Sequence, residues 1–189
     1  MTLVYVLIGV AVLLVLYVVI AYNRFVRQRN LIEESWGQID VELRRRYDLI
    51  PNLVETVKGY AAHERQTLEA VMAARARASA PSSSVAEQAA DEGALTQSLR
   101  GLLAVAENYP NLKADAQFLA LQQQLTETED RIAAGRRFYN GNVRSFNTRV
   151  ESFPSSIVAS TFNFEKADYF EVDEPEVRQN VEVDFSPDA

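Results

Sequence analysis

His63 is the only histidine in the chain, and Glu64 follows it. These are the first two residues of the HExxH helix, which sets two imidazoles and a general base around zinc. Thr67 stands where the second histidine would have to be, so the ligand set is incomplete and His63 reads as a surface residue. Two carboxylate pairs, Glu33/Glu34 and Glu129/Asp130, are the next groups able to share a proton. Consecutive acids are common on solvated helix faces, and nothing around either pair indicates a substrate pocket. Glu129 itself reads as an exposed neighbour of the apolar Ile132. Arg44, Arg45 and Arg46 form a basic run that could meet anionic headgroups. On a helix the three side chains fan around the axis, and salt bridges with Asp40, Glu42 or Asp48 explain them more simply.

Cysteine is absent, which removes disulfides, thiolate metal sites and a cysteine nucleophile. No phosphate-cradling glycine loop and no nucleophile elbow occurs. The sequence therefore assigns no catalytic, cofactor-binding or metal-ligating residue.

The elements that would carry any site read as helices. Seven glycines and six prolines in 189 residues fit helices better than a turn-rich sandwich. Ile32, Trp36, Ile39, Leu43, Tyr47, Ile50, Val54 and Val57 recur at gaps of three and four, which mark one face of an amphipathic helix. Pro51 lies inside this stripe without shifting its phase. It fits a kink in one long helix or a new helix starting near Asp48, and the unbroken register favours the kink. The stripe resumes at Leu68, Val71 and Met72 and runs into an alanine-rich stretch. Ala80 to Ser84 reads as a loop, with Ser84 as N-cap of a helix whose third residue is Glu87. That helix carries Leu95, Leu99, Leu102, Leu103 and Ala106 and ends near Pro110. Beyond it, Phe118, Leu125, Ile132, Tyr139 and Phe146 repeat every seven residues, with Leu112, Leu121, Val143 and Val150 as companions and Phe153 next in line. Such a repeat predicts a long helix packed in coiled-coil fashion.

Leu3 to Tyr22 carries no charge over twenty residues. A helix of that length spans the roughly 30 Å hydrocarbon core. A cleaved signal peptide fits less well, because the basic n-region and an A-x-A site are missing and the apolar run is too long. Tyr5 and Tyr22 sit where interfacial aromatics occur, and Arg24, Arg27 and Arg29 follow the span. The positive-inside rule then predicts an outer N-terminus and a cytoplasmic domain.

The net charge of −7 is unevenly placed: Glu151 to Ala189 holds ten acids against two bases, and residues 1–150 hold 16 against 17. The balanced body has no basic stripe, so nucleic acid is not expected as a partner. Phe162, Phe164, Tyr169, Phe170 and Phe185 are scattered through the acidic end, beside the run Asp173-Glu174-Pro175-Glu176. Charges this dense resist burial, so residues 155–189 are expected to be mostly irregular. Their aromatics would dock on a partner or on the bundle, and their removal would leave the fold intact. The expected architecture is all-α: a transmembrane helix at residues 1–23, an antiparallel bundle of three to four long helices at 24–154, and an acidic tail.

Two blocks go beyond periodicity. Trp36 to Glu64 reads WGQIDVELRRRYDLIPNLVETVKGYAAHE, followed by Ala74-Arg75-Ala76, and Asn108 to Pro154 reads NYPNLKADAQFLALQQQLTETEDRIAAGRRFYNGNVRSFNTRVESFP. With a leading apolar helix ending in Tyr22-Asn23, with Asp168-Tyr169-Phe170-Glu171, and with Val183-Asp184-Phe185, the chain closely resembles the LemA family. The segment from Pro81 to Ala90 is its least family-like part. The resemblance implies a bacterial, membrane-anchored helical protein of the inner membrane with no established enzymatic activity. It also implies a membrane metalloprotease as a candidate partner, and kinship with a factor of magnetosome membrane formation.

Two functions compete. The leading expectation is a membrane-tethered scaffold or adaptor, held in the bilayer through Leu3 to Tyr22, whose stripes serve self-association, a protease partner, or both. The alternative is a membrane-remodelling or biogenesis factor acting directly on lipid, which would need a second surface touching the bilayer.

Overall fold

The computed structural model describes residues 1–172. Six helices follow one another: α1 (Thr2–Tyr60), α2 (Arg65–Ala78), α3 (Val85–Ala106), α4 (Pro110–Lys113), α5 (Ala116–Glu151) and α6 (Ser155–Thr161). No strand occurs among the described residues, and the fold is all-α. Phe185, the acidic run from Asp173 to Glu176 and the Val183-Asp184-Phe185 motif lie outside them.

The apolar N-terminal segment is not a separate element. Apolar span and amphipathic stripe merge in α1, 59 residues long, which at 1.5 Å per residue reaches about 88 Å. Its first twenty or so residues stand clear of the bundle with their apolar side chains exposed, as a segment solvated by lipid would. Pro51 neither ends the helix nor starts another. The carbonyl that it leaves without a helical donor, that of Tyr47, accepts from Arg75 Nε on α2 instead.

The long pairing is α1 against α5, and it is antiparallel. Phe25 meets Phe146, Trp36 meets Tyr139, Arg46 meets Glu129 and Tyr60 meets Asp115. At Gly135 the two helices come so close that a Cβ would lie 3.0 Å from Ile39 Cγ1. The stripe on α1 from Ile32 to Val57 is buried except for the half-buried Trp36, and so are Phe118, Leu125, Ile132, Tyr139 and Phe146 on α5. α2 and α3 close the other side with Leu68, Val71, Leu95, Leu99 and Leu102. The predicted cap forms: Ser84 Oγ accepts from the Glu87 amide at 3.1 Å, and the Glu87 carboxylate accepts the Ser83 amide at 2.9 Å. Asp115 caps α5 by accepting from the Phe118 amide at 2.8 Å. Both acids titrate below their ordinary values, Glu87 through the hydrogen bonds from Ser83 and Asp115 first through that from Phe118.

One expectation is overturned. Phe153 is not the next member of the seven-residue repeat but is 82 % exposed, because α5 stops at Glu151 and the chain reverses at Pro154 before another turn forms. The segment after Pro154, expected to be mostly irregular with aromatics docked on a partner or on the bundle, docks on the bundle. Residues 155–161 form α6, and Val158, Ala159, Phe164 and Phe170 are buried in the common core. The packed structure therefore continues past residue 154.

Candidate functional site

Midway along the bundle, one charge sits where the stripes would put an apolar side chain. Arg46 follows Leu43 by three residues and precedes Ile50 by four, which places it on the inward face of α1, and it is 1 % exposed. Its guanidinium contacts the buried Glu92 carboxylate of α3 and reaches Glu129 Oε1 of α5 at 2.5 Å. Tyr47 donates to the carbonyl of Ala78 at the end of α2, 2.9 Å away, and also contacts Glu92. Gln88 completes the group, donating to that carbonyl at 2.9 Å and to Glu92 Oε1 at 2.9 Å. Four helices are thus joined through one arginine, two carboxylates, a phenol and an amide.

The chemistry of this hub is that of holding. Arginine keeps its proton in proteins, and burial, opposed by the neighbouring Arg46 charge, pushes the Tyr47 phenol up to about 12. The Tyr47 phenol therefore keeps its proton near neutrality. A buried ion pair adds little net stability but strongly penalises any arrangement that separates its members, so the hub fixes the register of α1, α3 and α5. Beside it a groove of about 350 Å³ runs between α3 and α5, with Thr96, Gln122 and Thr126 on its walls.

A second assembly clamps residues 162–172 onto α5. Asn147 takes the Ala167 amide on Oδ1 and donates to its carbonyl, both at 2.9 Å. One heptad earlier, Asn140 does the same for Phe170, at 2.9 and 3.1 Å. Tyr139 adds a hydrogen bond to the Asp168 carbonyl at 2.9 Å, and burial first, then the Asp168 charge, raises its phenol above the ordinary value. Two carboxamides on a helix thereby satisfy a strap that has no sheet partner. The strap seats Phe170 against Trp36, ring centres 5.3 Å apart, and reaches α3 at Gly93, where a Cβ would meet Val172 at 3.4 Å.

The third assembly lies where α1 leaves the bundle. Phe164 stacks on Phe25 at 4.7 Å, Tyr22 meets Phe162 at 5.0 Å, and the Arg29 guanidinium lies 5.9 Å from the centre of the Phe164 ring.

The residues singled out in the sequence fall apart in space. His63 is exposed on the turn after α1, Glu33 and Glu34 are exposed, and Asp130 is exposed while Glu129 is half-buried in the hub. Among the described residues no group of three or more metal-ligating side chains converges. Arg44 pairs with Asp40 at 2.7 Å as expected, and Glu42 pairs across the bundle with Arg131 at 3.4 Å. Arg46 departs from the expectation of a local salt bridge, since its partners lie on other helices. Its place on the stripe was the available signal, shared by Glu92, three residues before Leu95.

A LemA-family model matches residues 35–185 of this chain. Among characterised proteins the chain is similar to magnetosome protein MamQ 2 of Paramagnetospirillum magneticum, 26% identical over 175 residues that cover 79% of this chain and 64% of the relative. It is similar to Protein LemA of Metamycoplasma hominis, 28% identical over 168 residues that cover 87% and 74%. Magnetosome protein MamQ of Magnetospirillum gryphiswaldense is 24% identical over 174 residues, covering 79% and 64%. The chain thus spans slightly under two thirds of the MamQ proteins.

Proposed function

This chain belongs to the LemA family, and we propose that it is a non-catalytic, membrane-anchored scaffold that presents a rigid helical bundle to protein partners. The observation that carries this reading is the continuity of α1 from Thr2 to Tyr60. A protein tethered by a flexible linker diffuses around its anchor, whereas here the anchor and the longest bundle helix are one element. Tyr60 then stands about 57 Å along the helix from Tyr22. The hub agrees with this role, since its groups lock four helices. The kinship with proteins named for the magnetosome and for LemA supports work at a membrane. A second copy of the chain and a membrane metalloprotease are the partners we propose, with the bundle in the cytoplasm of a bacterial cell and the anchor in the inner membrane.

Affinity isolation of the tagged full chain from native membranes, after brief crosslinking, tests the proposal. Defined higher-mass species containing the chain and a reproducible partner are expected. Recovery of monomer alone would remove the scaffold role. The alternative, direct action on lipid, has its own support in the apolar surface around α6.

A further inference from the structure

We propose that the turn from Ser152 to Phe164, with α6 at its centre, is a membrane foot that lies in the bilayer interface beside the end of the anchor and braces the bundle against the lipid. The inference rests on reading the apolar start of α1 as a bilayer span.

Position comes first. α6 packs against α1 as well as α5, and its Val158 and Ala159 are buried. Phe162 meets Tyr22, and at this end of the molecule Ala21 is buried and Val18 half-buried. Val18, Ala21 and Tyr22 all belong to the uncharged run from Leu3 to Tyr22. The foot therefore stands level with the end of the apolar run read as spanning the bilayer, and whatever covers its outer side must share that level.

Composition points the same way. The 13 residues from Ser152 to Phe164 contain no charge, in a chain that is 24% charged. Three large apolar side chains of the turn are exposed, Phe153 at 82 %, Ile157 at 56 % and Phe162, beside Tyr22, at 45 %. Apolar patches of this kind are costly in water, and Phe-type side chains insert at the boundary between headgroups and acyl chains.

Four of the six polar side chains in the turn are already hydrogen-bonded to backbone carbonyls, which suits a layer poor in water. Ser152 donates to the Thr148 carbonyl at 2.6 Å and Ser155 to that of Arg149 at 2.8 Å. Ser160 and Thr161 both donate to the Ile157 carbonyl, at 3.0 and 2.7 Å. Charge returns only at the neck, where Glu151 and Lys166 pair. Around the same level Arg24, Arg27 and Arg29 are exposed on α1, the arrangement that suits anionic headgroups above an apolar foot. Lipid is thus the occupant that both the apolar tip and its basic collar fit.

Because the chain lacks cysteine, single cysteines can be placed in the full-length protein at Val12, Phe153, Ile157 and Ala80, all exposed in the structure. Each is labelled with bimane and reconstituted into phosphatidylcholine–phosphatidylglycerol vesicles. The vesicles carry lipids with a nitroxide either near the headgroup or at mid-chain. The expected result is loss of emission at Phe153 and Ile157 with the headgroup-proximal nitroxide, and loss at Val12 with the mid-chain one. The Ala80 probe should respond only to aqueous iodide. If Val12 is quenched while Phe153 and Ile157 respond to iodide alone, the anchor stands and the foot is disproved. Shielding of Phe153 and Ile157 from both iodide and nitroxide would assign the face to a protein, which also overturns the proposal. Iodide quenching at Val12 would remove the anchor reading and the foot with it.

Discussion

Arg75 donates from Nε to the carbonyl oxygen of Tyr47 at 2.7 Å, and that oxygen is the one Pro51 deprives of its amide. A helix interior loses about 3 kcal/mol to a proline, and here α2 returns part of it from outside. The two residues should therefore be coupled. Arg75→Ala leaves a carbonyl without its charged donor and should cost about 1.5–3 kcal/mol. In the Pro51→Ala background position 51 again supplies an amide, and the same change should cost less than about 1 kcal/mol. Chemical denaturation of the four variants completes the cycle. An equal cost in both backgrounds would mean that Arg75 does not substitute for the missing amide.

Breaking the hub from one side should be worse than removing it. Arg46→Ala leaves Glu92 buried without its cation and should cost about 3–5 kcal/mol. Arg46→Met combined with Glu92→Leu, which replaces the pair with apolar volume, should recover most of that loss. Glu129→Gln should fall between Arg46→Ala and a neutral surface change, because the Glu129 carboxylate is half-exposed. Thermal melts rank the three. Were the double variant as unstable as Arg46→Ala, volume rather than charge pairing would be what the site requires.

The apolar stripes are legible in the sequence because burial selects side chains at helical spacing regardless of what covers them. Phe118 to Phe146 and Ile32 to Val57 show this directly. Caps are legible for a local reason: Ser84 and Glu87 meet within one turn. Arg46 and Glu92 are not legible as a pair. Each is a charge on an otherwise apolar face, and only the fold, which brings the Arg46 side chain of α1 to Glu92 of α3, reveals that the two exceptions meet. The clamp escapes for a related reason. Asn140 and Asn147 stand one heptad apart, but their partners are backbone groups of Ala167 and Phe170, which carry no sequence signature. The strap lies among acids, and composition outweighs its two buried phenylalanines in any reading by segment.

That strap should be part of the cooperative fold. Phe170→Ala removes a fully buried ring from between Trp36 and α5 and should cost about 3–5 kcal/mol. Asn140→Leu strands the Phe170 amide and should cost about 1–3 kcal/mol. A chain ending at Pro154 loses Val158, Phe164 and Phe170 together and should show reduced helicity and a broad, low melting transition. Unchanged melting in that truncation would return the boundary of the folded unit to residue 154.

Alkaline pH should act through Tyr47. The unfolded phenol titrates near 10 and the folded one at about 12, so the folded state holds the proton more tightly. Stability from this group is complete below pH 10 and declines as pH rises toward 12. Tyr47→Phe has no such proton and loses its hydrogen bond to Ala78 at every pH. The variant should be less stable than the parent at neutral pH, and the gap should narrow between pH 10 and 12. A gap that stays constant across that window would mean the phenol titrates alike in both states.

Sidedness is the last prediction, and it follows from the charges that flank the anchor. Arg24, Arg27 and Arg29 come directly after the apolar run, and loops rich in arginine stay in the cytoplasm. Because α1 is continuous, the whole bundle must lie on the side where those arginines are held. Single cysteines at Ala80, in the loop between α2 and α3, and at Gln123, on the outer face of α5, are exposed in the structure. Both should resist a membrane-impermeant maleimide in intact cells and react after permeabilisation. A cysteine at Thr2, at the opposite end of the span, should show the reverse. Labelling of Ala80 and Gln123 in intact cells would place the bundle outside and leave the arginines to serve the outer headgroups. Labelling of all three would show that α1 does not cross the bilayer at all, and the bundle would then have to lie along the membrane instead of standing on it.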